Sequence, residues 1–200
     1  MKADYAKRGY HYVKNYGLPK LYLKAKERLE RDILERDYQQ WMVSERPADS
    51  EKELQREHQF AYAPRISVVV PVYKTPETFL REMVDSVLGQ TYGNVELCLA
   101  DGSEEDHGPQ KILEMYAVQD PRIRYEKLPK NLGIAGNTNA ALDLATGEYV
   151  ALLDHDDFLE EHALFELVKW LQTHPEADMI YTDEDKVSFD SATFFQPHFK

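Results

Sequence analysis

The chain has 200 residues and a formal net charge of −12, an acidic balance that argues against general nucleic-acid binding. Its apolar and charged fractions are those of a globular protein with one core of ordinary size, and no run of about eighteen apolar residues predicts a transmembrane helix. The single cysteine, Cys98, excludes an internal disulfide and lies in an apolar run, so we expect a buried, unreactive thiol.

The charge is distributed unevenly along the chain. Residues 1–65 contain 14 Lys and Arg against 11 Asp and Glu, whereas residues 66–200 contain 10 against 25. A change of this size indicates two modules of different character. We therefore predict an N-terminal helical arm and connector over residues 1–64, and a second domain over residues 65–200.

The N-terminal arm is predicted to be helical over residues 18–43, where apolar residues recur at helical spacing. The first 26 residues hold seven Lys or Arg against one Asp, interleaved with tyrosines. One interpretation is peripheral contact with an anionic membrane surface. The other is a solvated arm that packs on the main domain or on a second copy, as a homodimer. The N-terminus lacks the apolar segment of a secretory signal, so we expect a cytoplasmic protein, at the inner membrane face if the arm binds lipid.

Strands and helices alternate from residue 66 onward. β-branched apolar runs predict five strands, at residues 66–72, 94–100, 122–128, 148–154 and 177–185. Amphipathic segments predict helices between them, at residues 75–90, 110–119, 134–147 and 162–174. This alternation predicts an α/β fold with a mostly parallel central sheet and helices on both faces.

Polar and turn residues follow each predicted strand. In open parallel sheets, ligands bind outside the carboxyl ends of the strands, so these residues are expected to converge at one edge. In chain order they are Pro71, Val72 and Tyr73; Asp101; Gly133 and Asn137; Asp154, His155 and Asp156; and Asp183.

The segment "DHDD" after the fourth strand predicts a metal site. Asp154 and Asp156 can share one Mg²⁺ or Mn²⁺ with substrate phosphates, since both cations prefer oxygen ligands. The alternative is that the acidic residues from Asp157 onward only favour a helix N-terminus. His155 is interpreted as lining the site rather than binding the metal. No glycine-rich phosphate loop of the usual kinds is present.

Four segments in order resemble the family 2 glycosyltransferases, which have a Rossmann-like, nucleotide-diphospho-sugar transferase fold. They also resemble, within that family, bacterial enzymes of rhamnan-type and other cell-surface polysaccharide synthesis. The segments are "ISVVVPVYKTPETFLREMVDSVLGQTY", "ELCLADGS", "NLGIAGNTNAALDLATGEYVALLDHDD" and "YTDEDK".

The resemblance implies a role for each matching position. Pro71, Val72 and Tyr73 would line the pocket of the nucleotide base, and Asp101 would read the base edge. Gly133 and Asn137 would surround the sugar diphosphate. Asp154 and Asp156 match the Asp-x-Asp motif, the first near the ribose and the last on a Mn²⁺ or Mg²⁺ that bridges the diphosphate. The donor would be a UDP- or dTDP-linked sugar and the acceptor a saccharide.

The implied reaction is inverting: an acceptor hydroxyl, deprotonated by a carboxylate, attacks the anomeric carbon opposite the diphosphate. In the family the catalytic base comes from a later segment, so we expect it beyond Lys200 and regard the chain as the donor-binding part of a longer enzyme. Two positions depart from the family pattern, Ala100 for an acidic residue and Lys74 for asparagine, and both bear on donor choice.

Three other functions remain open from the sequence. A nucleotidyltransferase would need a glycine-rich loop after its first strand, and "PVYKTPE" has no glycine. A nucleotide-sugar-binding or assembly module without catalysis would keep the same site, and turnover would separate it from an enzyme. A scaffold acting through the N-terminal helix would not require the carboxylates.

Overall fold

The computed structural model describes residues 2–104, 108–188 and 194–198. The chain forms two compact units. One runs from Pro47 to Ala177, and the other combines the described residues of 1–46 and 178–200. The predicted module boundary between residues 64 and 65 stays a prediction.

The helices and strands alternate along most of the chain. The helices are α1 Lys2–Glu45, α2 Asp49–Glu57, α3 Glu77–Leu88, α4 Pro109–Gln119, α5 Gly133–Asp143 and α6 Ala163–Leu171. The strands are β1 Ile66–Val72, β2 Val95–Asp101, β3 Ile123–Lys127, β4 Tyr149–Leu152, β5 Glu184–Val187 and β6 Phe194–His198.

The unit from Pro47 to Ala177 is built around a parallel sheet with strand order β3-β2-β1-β4. Successive side chains of a strand point to opposite faces, and both faces of β1 and β2 are buried. Val68, Val70 and Val72 pack in a core with residues of α3, α4 and α6, whereas Val69 packs with Ala141 of α5 on the other face. The predicted fold, a mostly parallel sheet with helices on both faces, is confirmed.

Cys98 lies on the α5 face of β2 and is fully buried. Burial raises the pKa of its thiol to about 11, and the nearby Glu96 carboxylate acts in the same direction. The prediction of a buried cysteine is therefore confirmed, and the raised pKa leaves little thiolate at neutral pH.

The second unit contains α1 and the antiparallel pair β5-β6. The predicted helix over residues 18–43 is confirmed, and α1 extends it at both ends. Gly17 interrupts the helix with φ 81° and ψ 162°, a conformation that glycine tolerates, and Pro19 follows it. No helix in the described ranges is both long and apolar enough to cross a membrane.

The fifth predicted strand, residues 177–185, is wrong as a member of the parallel sheet. The four-stranded sheet ends at β4, and the residues before Glu184 are not in a strand. Met179 and Tyr181 are 84% and 69% exposed. The residues from Glu184 onward pair with β6 instead. A strand-like run of residues becomes a sheet strand only where a partner strand is available, and local sequence does not specify that partner.

A buried carboxylate near the amino end of β2 holds the turn that leads into β4. Glu96 is 3% exposed. Its Oε1 accepts hydrogen bonds from Ser67 Oγ at 2.6 Å and from the backbone N–H of Thr146 at 2.5 Å. Its Oε2 lies 3.0 Å from Arg124 Nε. Burial alone would raise the pKa of Glu96, but these hydrogen bonds and the guanidinium outweigh it, so the pKa is lowered.

Gly147 lies in this turn at a position where no larger side chain fits. A Cβ atom at this position would lie 2.6 Å from Arg65 O and 2.6 Å from Ser67 Oγ. The Gly147 N–H donates to Ser67 Oγ at 2.8 Å. Glu96, Ser67 and the turn therefore fix where β4 begins, and β4 leads into the segment that carries Asp154 and Asp156.

We expect Glu96→Gln to lower the free energy of unfolding by about 2–4 kcal/mol at pH 7, because the buried hydrogen bonds lose their charge and Arg124 loses its partner. The folded pKa of Glu96 is lowered, so its stabilisation is present above the ordinary glutamate pKa and is lost as pH falls through the folded value. Urea unfolding at neutral and acid pH measures both effects.

Glu126→Gln, the same change at an exposed position on β3, is the matched control and should alter stability little. An equal effect of the two substitutions at pH 7, or a Glu96→Gln deficit that grows on acidification, would contradict the assigned role of Glu96.

Candidate functional site

Three strands of the sheet end in one row. In the parallel register, Val72 of β1 lies opposite Asp101 of β2, and Asp101 lies opposite Lys127 of β3. On the other side of β1, Leu152 lies opposite Val69, and the Leu153 N–H donates to Val69 O at 3.2 Å. β4 therefore ends beside Val69, and the chain leaves the sheet there, before β1 itself ends at Val72. The residues predicted for the site come from these four strand ends.

Asp101 has no exposed surface, which makes it the most deeply buried of the charged residues predicted for the site. Its Oδ1 accepts the Ser103 N–H at 2.8 Å. Its Oδ2 accepts the Tyr125 hydroxyl at 3.2 Å and lies 3.5 Å from Lys127 Nζ. Burial, followed by the Asp101 charge, raises the pKa of Tyr125 far above its usual range. Asp101 is thus a buried carboxylate with partners on both oxygens.

Tyr125 and Lys127 were not predicted as site residues. Both belong to β3, whose sequence "IRYEK" has an ordinary polar and apolar alternation. The signal that identifies them is the strand pairing, which places Lys127 directly opposite Asp101 and Tyr125 two residues earlier on the same strand. The local sequence of β3 does not specify which strand it pairs with or in which register.

The loop after β1 is tied to the loop after β2. Lys74 has a backbone φ of 52°, a left-handed conformation that is uncommon for residues other than glycine. Residues in such backbone conformations concentrate at functional sites. Its N–H donates to Ser103 Oγ at 2.8 Å, and its Nζ lies 2.8 Å from Glu104 Oε2. The Glu104 partner, followed by Tyr73, raises the pKa of the Lys74 ammonium group. Pro71 and Val72 are the last two residues of β1 and Tyr73 follows them; Pro71 and Tyr73 are partly exposed, and Val72 is buried.

Asn137, predicted beside the sugar diphosphate, is 2% exposed and holds the loop before α5. Its Oδ1 accepts the Leu132 N–H at 3.0 Å, and its Nδ2 donates to Asn131 Oδ1 at 3.1 Å. A Cβ on Gly102 would meet Asn137 Nδ2 at 2.6 Å, so a larger residue at this position would displace the Asn137 amide. Gly133 is exposed and has φ 76°. Asn137 therefore shapes this side of the site by fixing the loop.

The "DHDD" segment lies at the surface. Asp154 and Asp156 are exposed, and the Asp157 N–H donates to Asp154 O at 3.2 Å, which closes a turn. Exposure lowers the cost of placing several carboxylates side by side here, since water solvates them. His155 is partly buried, and its Nδ1 lies 3.8 Å from Asp156 Oδ1. That distance is too long for a hydrogen bond, and Nδ1 is a buried atom without such a partner.

A second buried polar atom without a hydrogen-bond partner is Thr75 Oγ1, on the loop after β1. Within the part of the chain that the structure describes, these two atoms are the buried side-chain nitrogens and oxygens left without a partner. Both follow adjacent strands at the carboxyl edge of the sheet. Unsatisfied buried polar groups in native proteins commonly mark functional sites or bound water.

The predicted metal site offers carboxylate oxygens but, within the described residues, no larger cluster of ligands. Over residues 2–104, 108–188 and 194–198, no three His, Cys, Asp or Glu side chains cluster closely enough to hold a metal ion alone. Asp154 and Asp156 offer two accessible carboxylates, which is the set that Mg²⁺ or Mn²⁺ uses when substrate phosphates supply further oxygens. The residues present therefore fit a cation that is bound together with a diphosphate.

Solved structures share the fold. TarS of S. aureus, in complex with UDP, matches 56% of this chain and 33% of its own with a TM-score of 0.51 and 26% identity. The mannosyltransferase PcManGT from Pyrobaculum calidifontis, in complex with GDP-Man and Mn²⁺, matches 66% of this chain and 39% of its own with a TM-score of 0.50 and 25% identity. The first of these proteins binds UDP and the second is a mannosyltransferase bound to GDP-Man, and both likenesses support the predicted fold class.

Two relatives in sequence are much longer proteins than this chain. The O-antigen biosynthesis protein RfbC of Myxococcus xanthus is 32% identical over 80% of this chain, which spans 13% of that protein. An uncharacterized protein, y4gI, of Sinorhizobium fredii is 46% identical over 68% of the chain, which spans 15% of it. The chain thus corresponds to roughly one-seventh of these two relatives.

The family described as "Glycosyl transferase family 2" matches residues 67–193 by its sequence profile. The matched range begins in β1 and contains the four strand ends and the "DHDD" segment. It covers more than half of the chain, and therefore the chain belongs to glycosyl transferase family 2.

Proposed function

We propose that residues 65–200 bind the donor of an inverting glycosyl transfer, a nucleoside-diphosphate sugar, at the carboxyl edge of the parallel sheet. The observation that carries this proposal is the pair of exposed carboxylates, Asp154 and Asp156, beside the strand ends that hold Asp101. Structural neighbours bind UDP and GDP-Man, which supports a donor of this class.

Each predicted site residue has a proposed task. Asp101 would accept a hydrogen bond from the nucleotide base, with Pro71, Val72 and Tyr73 forming the wall of the base pocket. Gly133 and the loop held by Asn137 would border the sugar diphosphate. Asp154, Asp156 and the partly buried His155 would lie on the diphosphate side.

Asp154 and Asp156 would hold Mn²⁺ or Mg²⁺. When bound, such a cation supplies Lewis-acid stabilisation to the departing nucleoside diphosphate. Without it, the two carboxylates would repel the diphosphate, so their part is to make donor binding depend on a divalent cation. In the inverting reaction, the acceptor hydroxyl loses its proton to a carboxylate base and attacks the anomeric carbon opposite the diphosphate.

The proposed acceptor is a growing cell-surface polysaccharide. This step is supported by the names of relatives such as the O-antigen biosynthesis protein of Myxococcus xanthus and the chondroitin synthase of Pasteurella multocida, which is 32% identical over 64% of the chain. The alternative, a nucleotide-sugar-binding or assembly module without turnover, shares the donor site. Release of UDP in the presence of donor and acceptor separates the two.

Donor binding can be measured by calorimetric titration with UDP and dTDP, with and without Mn²⁺. We expect binding that requires Mn²⁺, and we expect Asp156→Asn to weaken it by at least about tenfold, since even outer-sphere changes at metal sites have effects of that size. The matched control is Asp143→Asn at an exposed position on α5. Binding that ignores Mn²⁺, or an equal loss in both variants, would refute the assignment of the carboxylate pair.

For the arm, we propose peripheral contact with an anionic membrane. Exposed apolar residues lie among lysines in α1, with Leu18 68%, Tyr22 69% and Leu23 53% exposed. Apolar side chains beside basic ones suit the interface of an anionic bilayer. The alternative, packing of the arm against a second copy, would appear as a dimer in sedimentation velocity.

We expect co-sedimentation with vesicles containing phosphatidylglycerol at low salt, and loss of it when ionic strength shortens the Debye length to about 3 Å. The double substitution Lys20→Glu and Lys24→Glu should abolish binding. The matched control, Lys111→Glu with Lys130→Glu, reverses the charge of two exposed lysines in the unit from Pro47 to Ala177. This control should leave vesicle binding intact. Equal binding to neutral and anionic vesicles, or an equal loss in both double variants, would contradict the proposal.

A further inference from the structure

The acidic turn, residues 154–158, is anchored to other elements on both sides. Before the turn, the Leu153 N–H donates to Val69 O at 3.2 Å, which joins the chain to β1. After the turn, the Leu159 N–H donates to Ser86 Oγ at 3.2 Å, which joins the chain to α3. The proposed metal ligands therefore lie in a short stretch of chain whose two ends are held by the sheet and by α3.

A buried glutamine just after α3 extends the anchor that follows the acidic turn. Gln90 is 5% exposed. Its Nε2 donates to Glu160 O at 2.8 Å and to Ser86 O at 3.0 Å. Its Oε1 accepts the Leu164 N–H at 3.0 Å. The Leu164 N–H belongs to the first turn of α6, where backbone donors have no partner within the helix, so Gln90 also fixes the start of α6.

Helix α2 supports the same anchor from its outer side. Thr91 donates its N–H to Glu161 O at 2.8 Å and its hydroxyl to Gln55 Oε1 of α2 at 2.8 Å. Gln55 is 7% exposed. Lys52 Nζ and Arg56 Nη2 lie 3.3 Å and 3.4 Å from Glu161 Oε2. Because such partly exposed ion pairs contribute little, the buried hydrogen bond of Gln55 is the main link between α2 and the anchor.

The position of α2 in the sequence makes this link informative. α2 ends at Glu57, before the range 67–193 that the family profile matches. It nevertheless belongs to the same compact unit as the parallel sheet. The support of the acidic turn therefore includes a helix that the family match does not contain.

Anchoring affects how tightly two exposed carboxylates can hold a cation. Like charges repel, so an unanchored acidic turn would favour conformations that separate the Asp154 and Asp156 carboxylates. Bringing them together around a cation would then restrict the chain, and that restriction costs conformational entropy. A turn whose ends are already fixed loses less entropy on binding.

We propose that Gln90 is a positioning residue for the metal ligands Asp154 and Asp156, and that α2 supports it through Gln55. This inference rests on the proposed donor site. It assigns part of the affinity for Mn²⁺ to two buried glutamines that act through the backbone of the segment following the acidic turn.

The test is the Mn²⁺ concentration that gives half-maximal UDP binding, measured on the full chain by calorimetric UDP titrations at a series of Mn²⁺ concentrations. Gln90→Leu keeps a side chain of similar size but removes both hydrogen-bonding groups. It should raise this concentration by about tenfold, an effect typical of residues that support metal ligands without binding the metal. Gln55→Leu should raise it by less, because Gln55 acts through Thr91.

Gln172→Leu is the matched control, at the opposite end of α6. The Gln172 side chain also makes three hydrogen bonds to backbone groups: Nε2 donates to Tyr62 O and Val168 O, and Oε1 accepts the Tyr62 N–H. Urea unfolding should show that Gln172→Leu and Gln90→Leu both lose stability. The Mn²⁺ requirement of the folded Gln172→Leu chain should equal that of the unaltered chain, which a purely structural role of Gln90 would also predict for Gln90→Leu.

The outcomes separate this inference from the proposed function. If the folded, unaltered chain binds no UDP, or binds it equally well without Mn²⁺, both are overturned. If UDP binding requires Mn²⁺ but Gln90→Leu and Gln172→Leu have the same Mn²⁺ requirement, the inference alone fails. If Gln90→Leu does not fold, Gln55→Leu decides against the same control, and an unchanged Mn²⁺ requirement in Gln55→Leu would overturn the inference.

Discussion

Strand β2 carries two buried carboxylates, one near each end, and the structure depends on satisfying both. Glu96 and Asp101 are 3% and 0% exposed within the strand "VELCLAD". Burying a carboxylate is unfavourable unless hydrogen bonds and a cation compensate it. Each therefore recruits partners from other segments, and those partners connect distant parts of the chain to the sheet.

The two carboxylates organise opposite ends of the sheet. Glu96 binds Arg124 of β3 and the turn before β4, so it determines where β4 starts. Asp101 binds Tyr125 and Lys127, also of β3, so it fixes the turn at the carboxyl edge. In contrast, Asp154 and Asp156 remain in water, where charged oxygens are available to a cation. Burial and the available partners thus place carboxylates of the same chemistry in three different environments.

The fold, and the edge of the sheet where the candidate site residues converge, could be predicted from the sequence, because strand and helix patterns are local and the carboxyl ends of parallel strands meet by rule. The partners of Asp101 could not, since they depend on which strand pairs with β2 and in which register. The error at residues 177–185 has the same origin: "ADMIYTDED" has the residues of a strand, but its pairing is decided by tertiary structure. Sequence reasoning did not single out Glu96, although a charged residue inside an apolar run is itself a signal of a buried partner.

The most direct test of the account is a crystal structure of the chain with UDP and Mn²⁺, using the anomalous signal of manganese to locate the metal. The account predicts one manganese peak against Asp154 and Asp156, bound also by the diphosphate, with the uracil ring on the side of the Asp101 turn. Manganese and UDP bound together at any other surface, with the strand ends of β1, β2 and β4 unchanged, would contradict the central claim that this edge of the sheet is the donor site.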